Sequence, residues 1–315
     1  KVCVCCCFFS SQSVLVILKK TKRKKNFFLM GQKNTHESRS TLQRATASTA
    51  ATPYKFQPFG NRYESLEEVQ QGLRKAGLES SNLVLAVDFT ISNTTAGKNT
   101  FGGRSLHSID PSFPNPYETV ISVLGRTLES FDDDKIIPAY GFGDQRVKDK
   151  AVFSFVPEGS TCVGFAQVLD RYRAIIPSVA LGGPTSFGPV IRQAINIVRQ
   201  ARGYIILVIV ADGQVTPDSE GFSSCTSDTV SAIVEASNYP ISIIVVGVGD
   251  GPWETMEAFD GGLPQRRFDN FRFVSFTKCW SNEPGDQNRK DTSFAVSALQ
   301  EIPEQYKAIR ELGLL

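Results

Sequence analysis

Histidine is almost absent from this chain: 315 residues hold two, His36 and His107. A His-built zinc or iron centre is therefore excluded, because such sites draw several imidazoles to one ion. Neither His stands in a triad-like context, and the Gly-x-Ser-x-Gly elbow of a serine hydrolase is missing. Cysteine is scarce outside the first residues. Four of the seven are Cys3, Cys5, Cys6 and Cys7, spaced too tightly for the usual zinc pair, and the others are Cys162, Cys225 and Cys279. That scatter is expected of reduced intracellular thiols, with no disulfide. A dinucleotide fingerprint is also incomplete. Gly247-Val-Gly249-Asp-Gly251 lacks its third glycine at the required spacing. Of the acid pairs, Asp132 and Asp133 read as a solvated helix end, not as general acid and base.

Negative charge is absent from residues 1 to 29, which carry seven of the 34 basic residues and leave 27 against 32 acidic ones beyond them. The remainder is mildly acidic, which argues against a nucleic-acid surface there. Long apolar runs are missing except Val2 to Leu18, at 17 residues the lower limit for a membrane span and diluted by Ser10 to Ser13. The basic run Lys19 to Lys25 follows it. Three readings are open: a short membrane anchor, a nuclear address, or translated upstream sequence before a true start at Met30. The third is preferred. Met30-Gly31-Gln-Lys-Asn-Thr35 fits the myristoylation pattern, so Gly31 is a candidate lipidation site, giving marginal attachment unless a second signal joins it. Residues 32 to 62, rich in Thr and Ser, read as a flexible spacer, so 1–62 is expected to be a disordered tail and 63–315 one domain.

What is present is an alternation of strands and helices. Leu66, Val69 and Leu73 recur at helical spacing within Glu64 to Ala76. Apolar strands are expected at Leu83 to Phe89, Lys135 to Phe142, Tyr204 to Val210, Ile241 to Val246 and Arg272 to Phe276, with an edge strand at Val152 to Phe155. Between them, helices are expected at Pro116 to Phe131, Phe165 to Ile176, Gly188 to Arg202, Ser227 to Ser237, Trp253 to Phe259 and Arg289 to Leu299. Such alternation predicts an α/β fold with a doubly wound, mostly parallel sheet flanked by helices. Asn93 to Asn115 has no periodicity and is expected to be a long loop, with His107 solvated in it. Asp144 reads as part of a Gly-Asp turn in preference to an acid supporting a site.

The chemistry concentrates at strand ends. Asp88-Phe-Thr90-Ile-Ser92 closes one apolar run, Gly183-Pro-Thr185-Ser186 precedes a helix, and Asp212 follows another run. Asp88, Thr90 and Ser92 alternate along extended backbone, so they can face one ion. Carboxylates and hydroxyls are hard donors that suit Mg2+, with Mn2+ or Ca2+ as alternatives. Three of the five donors are neutral, which leaves an open position where a partner protein's carboxylate can bind. Taken singly, each motif also fits a turn or a helix cap, Thr185 included. Convergence at the carboxyl edge of a doubly wound sheet is what distinguishes a site.

Together Asp88, Thr90, Ser92, Thr185 and Asp212 resemble the metal-ion-dependent adhesion site of von Willebrand factor A domains, with Thr90 in place of the usual first Ser. Asp88-Phe-Thr-x-Ser-Asn93 resembles the copine branch. Asn115-Pro-Tyr-Glu118, Tyr140-Gly-Phe-Gly-Asp144, Gly183-Pro-Thr-Ser-Phe187, Ala211-Asp-Gly-Gln-Val-Thr216, Val246-Gly-Val-Gly-Asp-Gly-Pro-Trp253 and Phe268-Asp-Asn-Phe271 are similar to the RGLG-type plant RING ubiquitin ligases. The resemblance runs from about Tyr63 to Leu315. It implies a Rossmann-like fold and a module that collects protein targets for ubiquitination through a metal. The family's RING needs paired Cys and His, yet Cys279 and His107 are the last of each, so this chain is expected to bind without ligating. A copine-like, membrane-associated, divalent-cation-responsive regulator is the alternative. Expected partners are target proteins offering an acidic residue and RING-bearing relatives. The cytoplasm is the expected location, with the plasma membrane or the nucleus also open.

Overall fold

Three runs in the middle of the chain set the architecture, because each is almost wholly apolar and so must be covered on both faces. They are β1 (Asn82–Asp88), β6 (Ile205–Ala211) and β7 (Ile241–Gly247). A computed structural model describes residues 63–157, 161–219, 224–282 and 285–315. With β3 (Ala139–Phe142), β4 (Phe153–Ser154) and β8 (Phe271–Ser275), these runs form a six-stranded sheet ordered β4-β3-β1-β6-β7-β8. Every pairing is parallel except β3 with β4, the antiparallel edge.

Alternate side chains of each central strand enter two separate cores. Leu83, Leu85 and Val87 of β1, with Ile206 and Val208 of β6, pack under α1 (Leu66–Lys75), α2 (Pro116–Leu128), α3 (Gly164–Ile175), α8 (Gln287–Leu299) and α9 (Ile302–Glu311). Val84, Ala86, Ile205, Leu207 and Ile209 pack under α4 (Gly188–Ala201), α5 (Cys225–Ala236) and α6 (Glu254–Gly262) on the other face. The doubly wound α/β fold expected from the sequence is the fold observed.

Local chemistry explains where the helices begin. Ser65 caps α1 by accepting from the Glu68 amide, and Asn115 and Glu118 close a capping box on α2 with Pro116 in its first turn. The expected Lys135 to Phe142 strand is two strands. Pro138, which has no N–H to donate, separates β2 (Ile136–Ile137) from β3. β2 then pairs antiparallel with β5 (Cys162–Val163) outside the main sheet. The sequence reading also omitted β5, α9 and the short α7 (Phe276–Asn282).

Asp132 corrects another expectation. It is 3% exposed, unlike its exposed neighbour Asp133, and burial followed by the charge of Asp134 raises its carboxyl to about 6. The readings placed on 1–62, Gly31 among them, fall outside the described residues.

Candidate metal centre

The order of the strands makes a crevice. From β1 the chain crosses through α2 to β3 on one side, then returns to β6 on the other, so the connections after β1 and β6 diverge. Ligands gather at such a switch point. Val87 pairs with Val210, and so Asp88 at the end of β1 and Asp212 just past β6 stand side by side.

Past Asp88 the chain stays extended for two residues and then enters a 3-10 turn over Ile91–Thr94. The Thr90 amide donates to Asp88 Oδ1 at 2.8 Å. Thr90 Oγ1 and Ser92 Oγ are 2.9 Å apart, and Ser92 Oγ donates to Asp212 Oδ1 at 3.0 Å. Four of the five expected donors are therefore linked, Thr90, Ser92 and Asp212 through side-chain oxygens and Asp88 through the Thr90 amide. Thr185 arrives by backbone. The Ile91 amide donates to the Gly182 carbonyl and the Gly182 amide to the Phe89 carbonyl, while the Thr185 and Thr216 backbones are joined by a hydrogen bond of 3.0 Å. Its loop is thus tied to both other motifs. Thr185 does not cap α4: the cap position is Phe187.

The two carboxyls are under electrostatic load. Asp88 is 0% and Asp212 1% exposed, and the Oδ2 atom of each is buried without a hydrogen-bond partner. Burial, then the charge of Asp212, holds the Asp88 carboxyl well above the usual carboxylate range. Burial likewise raises Asp212 to about 6, against the hydrogen bond from Ser92. Ionising both acids side by side is costly unless a cation joins them. The orphaned oxygens and the hydroxyls beside them fit a hard divalent ion. Among the described residues, no group of three or more His, Cys, Asp or Glu gathers as a metal site of another kind.

Gly143 guards the floor of this crevice. Its φ is +80°, and a Cβ there would lie 2.5 Å from Thr90 Cγ2 and 3.3 Å from Asp88 Oδ1. Gly143→Ala is expected to cost more than about 1 kcal/mol of stability, since Ala is strained at positive φ. Urea unfolding checks it; an unchanged midpoint and slope would show that the position is relaxed.

His107 is not solvated. It is 5% exposed, stacked between Phe89 (4.7 Å between ring centres) and Tyr117 (4.4 Å). Its Nε2 lies 2.8 Å from the Asp88 carbonyl, which can only accept, so Nε2 carries the proton and Nδ1 accepts from Tyr172 at 2.8 Å. The partners come from distant segments, which no local pattern reveals. Tyr117 and Asn93 complete the group: Tyr117 donates to Asn93 Oδ1 at 2.7 Å, and Asn93 Nδ2 donates to the Thr90 carbonyl at 3.1 Å. Asp144 is the turn residue expected, its Oδ1 accepting from the amides of Arg146 and Val147.

Burial, opposed by the hydrogen bond to Asp88, lowers the His107 imidazole from 6.5 to about 4. The unfolded chain therefore takes up a proton that the fold refuses. Stability from this residue is complete above about 6.5 and falls as pH drops toward 4, by about 2–3 kcal/mol. Unfolding free energies at pH 7 and 4.5 are expected to show a larger acid loss for wild type than for His107→Gln. Equal losses would contradict this assignment.

Known proteins carry the same domain. The family profile described as Copine matches residues 105–315. Over 266 residues the chain is 52% identical to the E3 ubiquitin-protein ligase RGLG1 of Arabidopsis thaliana, covering 83% of this chain and 54% of that one. It thus spans about half the length of that relative. It is 48% identical over 256 residues to Copine family protein 2 of Caenorhabditis elegans, covering 80% of this chain and 3% of that one. Among solved structures, the von Willebrand factor type A protein from Catenulispora acidiphila aligns with a TM-score of 0.42 at 13% identity, over 69% of this chain and 43% of that one. By sequence, the chain belongs to the copine family.

Proposed function

We propose that the domain is a metal-dependent protein-binding module of an RGLG-like E3 ubiquitin ligase, and that it recruits target proteins for ubiquitination. One observation carries the reading: the partnerless Asp88 Oδ2 and Asp212 Oδ2 at a hydroxyl-lined sheet edge. Asp88, Thr90, Ser92, Thr185 and Asp212 would hold the ion, Mg2+ by preference and Mn2+ or Ca2+ otherwise. When bound, it balances the two carboxylates and leaves an electrophilic position for a partner's carboxylate. The chain's own residues do the remaining work. Thr90 and Ser92 hold the acids in register, and Ile91 between them is 58% exposed, offering apolar contact beside the ion. The edge would select what the ligase acts on, while ubiquitin transfer belongs to the whole ligase.

The test is capture by the immobilised chain. Binding of target proteins should need Mg2+, vanish in chelator, vanish in folded Asp88→Ala, and be competed by an acidic peptide. Equal capture by wild type and Asp88→Ala, in magnesium and in chelator alike, would sink the proposal.

The second reading is a membrane-associated, cation-responsive regulator, supported by the 48% identity to a copine family protein. Among the described residues no helix is long and apolar enough to cross a membrane. Sedimentation with acidic liposomes that rises with Ca2+ would favour this reading over the first.

A further inference from the structure

We propose that His107 is a positioning residue for the cation edge, holding the Asp88 carbonyl so that the acid and the turn after it are pre-set; this deepens the cation reading above and rests on it. Asp88 still pairs with Phe142 of β3, but the register of β1 with β6 ends at Val87, so on the β6 side the sheet no longer holds the backbone at Asp88. Two side chains hold it from behind. His107 Nε2 donates to the Asp88 carbonyl at 2.8 Å, and Asn93 Nδ2 reaches the same oxygen at 3.4 Å. The His contact is the shorter and the better fixed. Its ring lies 7° from the plane of Phe89 and 13° from that of Tyr117, so it cannot tilt without breaking both stacks. Its other nitrogen is held by Tyr172, whose hydroxyl accepts from Asn115 Nδ2 at 3.2 Å.

That chain reaches firm ground. Asn115 is the residue that caps α2, and Tyr172 lies on α3. The segment around His107 is also sewn to the turn itself, since the Leu106 amide donates to the Asn93 carbonyl at 2.9 Å. A strand end that must hold two anions close has thus been tied to two helices through one imidazole. Losing a group that orients a ligand without touching the ion typically costs about 10- to 100-fold in metal affinity. None of the His107 contacts uses the carboxyl oxygens of Asp88, so they remain available to an ion.

The experiment uses the full chain with two readouts. In chelator, amide hydrogen exchange of residues 88–96 is followed for wild type, His107→Phe, His107→Gln and Tyr172→Phe. His107→Phe keeps a stacked ring but removes both hydrogen bonds. Exchange over 88–96 is expected to rise roughly tenfold while β7 is unchanged, with His107→Gln, which restores an N–H donor, close to wild type. In calorimetry with Mg2+, His107→Phe should bind about 10- to 100-fold more weakly. Tyr172→Phe inserts nothing and should shift both readouts the same way by less, so it decides the matter if His107→Phe fails to fold. Unchanged exchange over 88–96 in the folded variants, or a uniform rise that includes β7, overturns the proposal. Absence of binding of Mg2+, Mn2+ and Ca2+ alike by wild type would overturn the cation reading instead, and the exchange result would still decide the role of His107.

Discussion

Asp212→Asn is expected to raise the stability of the cation-free domain and to remove its response to divalent cations. In chelator the Asp88 and Asp212 carboxyls are buried side by side, each with one oxygen lacking a partner. Asp212 is raised from 3.8 to about 6, so the fold prefers its protonated form. The cost is therefore fully present above about 6 and disappears below 3.8. A neutral amide removes a buried carboxylate oxygen that has no partner, and should recover about 1–3 kcal/mol at pH 7.5. Adding Mg2+ reverses the ranking. An ion at about 100 times its dissociation constant stabilises the wild type by about 2.7 kcal/mol, or roughly 5–10 °C for a domain of this size. The variant should gain little. Chemical denaturation in chelator and in Mg2+ measures both effects. A variant less stable than wild type in chelator would show that the acids are satisfied within the protein.

Arg272→Ala is expected to be strongly destabilising although it lies away from the metal edge. On β8, Arg272 Nη1 lies 3.0 Å from Asp260 Oδ2 of α6 and 2.9 Å from Glu301 Oε1 at the start of α9. Asp260 also accepts from the Phe273 amide at 2.7 Å, so three elements meet at one guanidinium. Removing it strands two shielded carboxylates, which costs about 3–5 kcal/mol. Burial, offset by Arg272, already raises Glu301 to about 7. Acid should therefore relieve the variant: protonated Glu301 needs no partner, and the loss at pH 5.5 should be smaller than at pH 8. Urea unfolding at the two pH values checks this. A loss below about 1 kcal/mol at pH 8 would mean that solvent reaches the pair.

The parts of this fold that were legible from sequence are those that local pattern determines. The runs ending at Asp88 and Ala211 are apolar throughout because helices cover both faces, and the strand ends follow directly from where apolarity stops. That placed the two acids. Asp88, Thr90 and Ser92 alternate on extended backbone, so their common direction was legible too. Thr185 needed the third dimension, since its loop joins the site through backbone pairs to residues far away in sequence. His107 was misread for the same reason. Its loop has no periodicity, and its burial comes from Phe89, Tyr117 and Tyr172, which only the fold assembles. A signal existed nearby, because Asn115-Pro-Tyr-Glu118 spells a capping box that fixes Tyr117 beside it. Arg272 gave none. A cation within a strand otherwise apolar, Phe271-Arg-Phe-Val-Ser275, reads as an outward residue until its two acids are seen.

The central claim is that the Asp88–Asp212 edge holds a divalent cation. Isothermal titration of Mg2+ into the metal-free chain, beside Asp88→Asn, tests it most directly. The account predicts one ion per chain for wild type and loss of that binding in the folded variant. No binding at millimolar Mg2+, Mn2+ or Ca2+, or equal binding by both proteins, would contradict it.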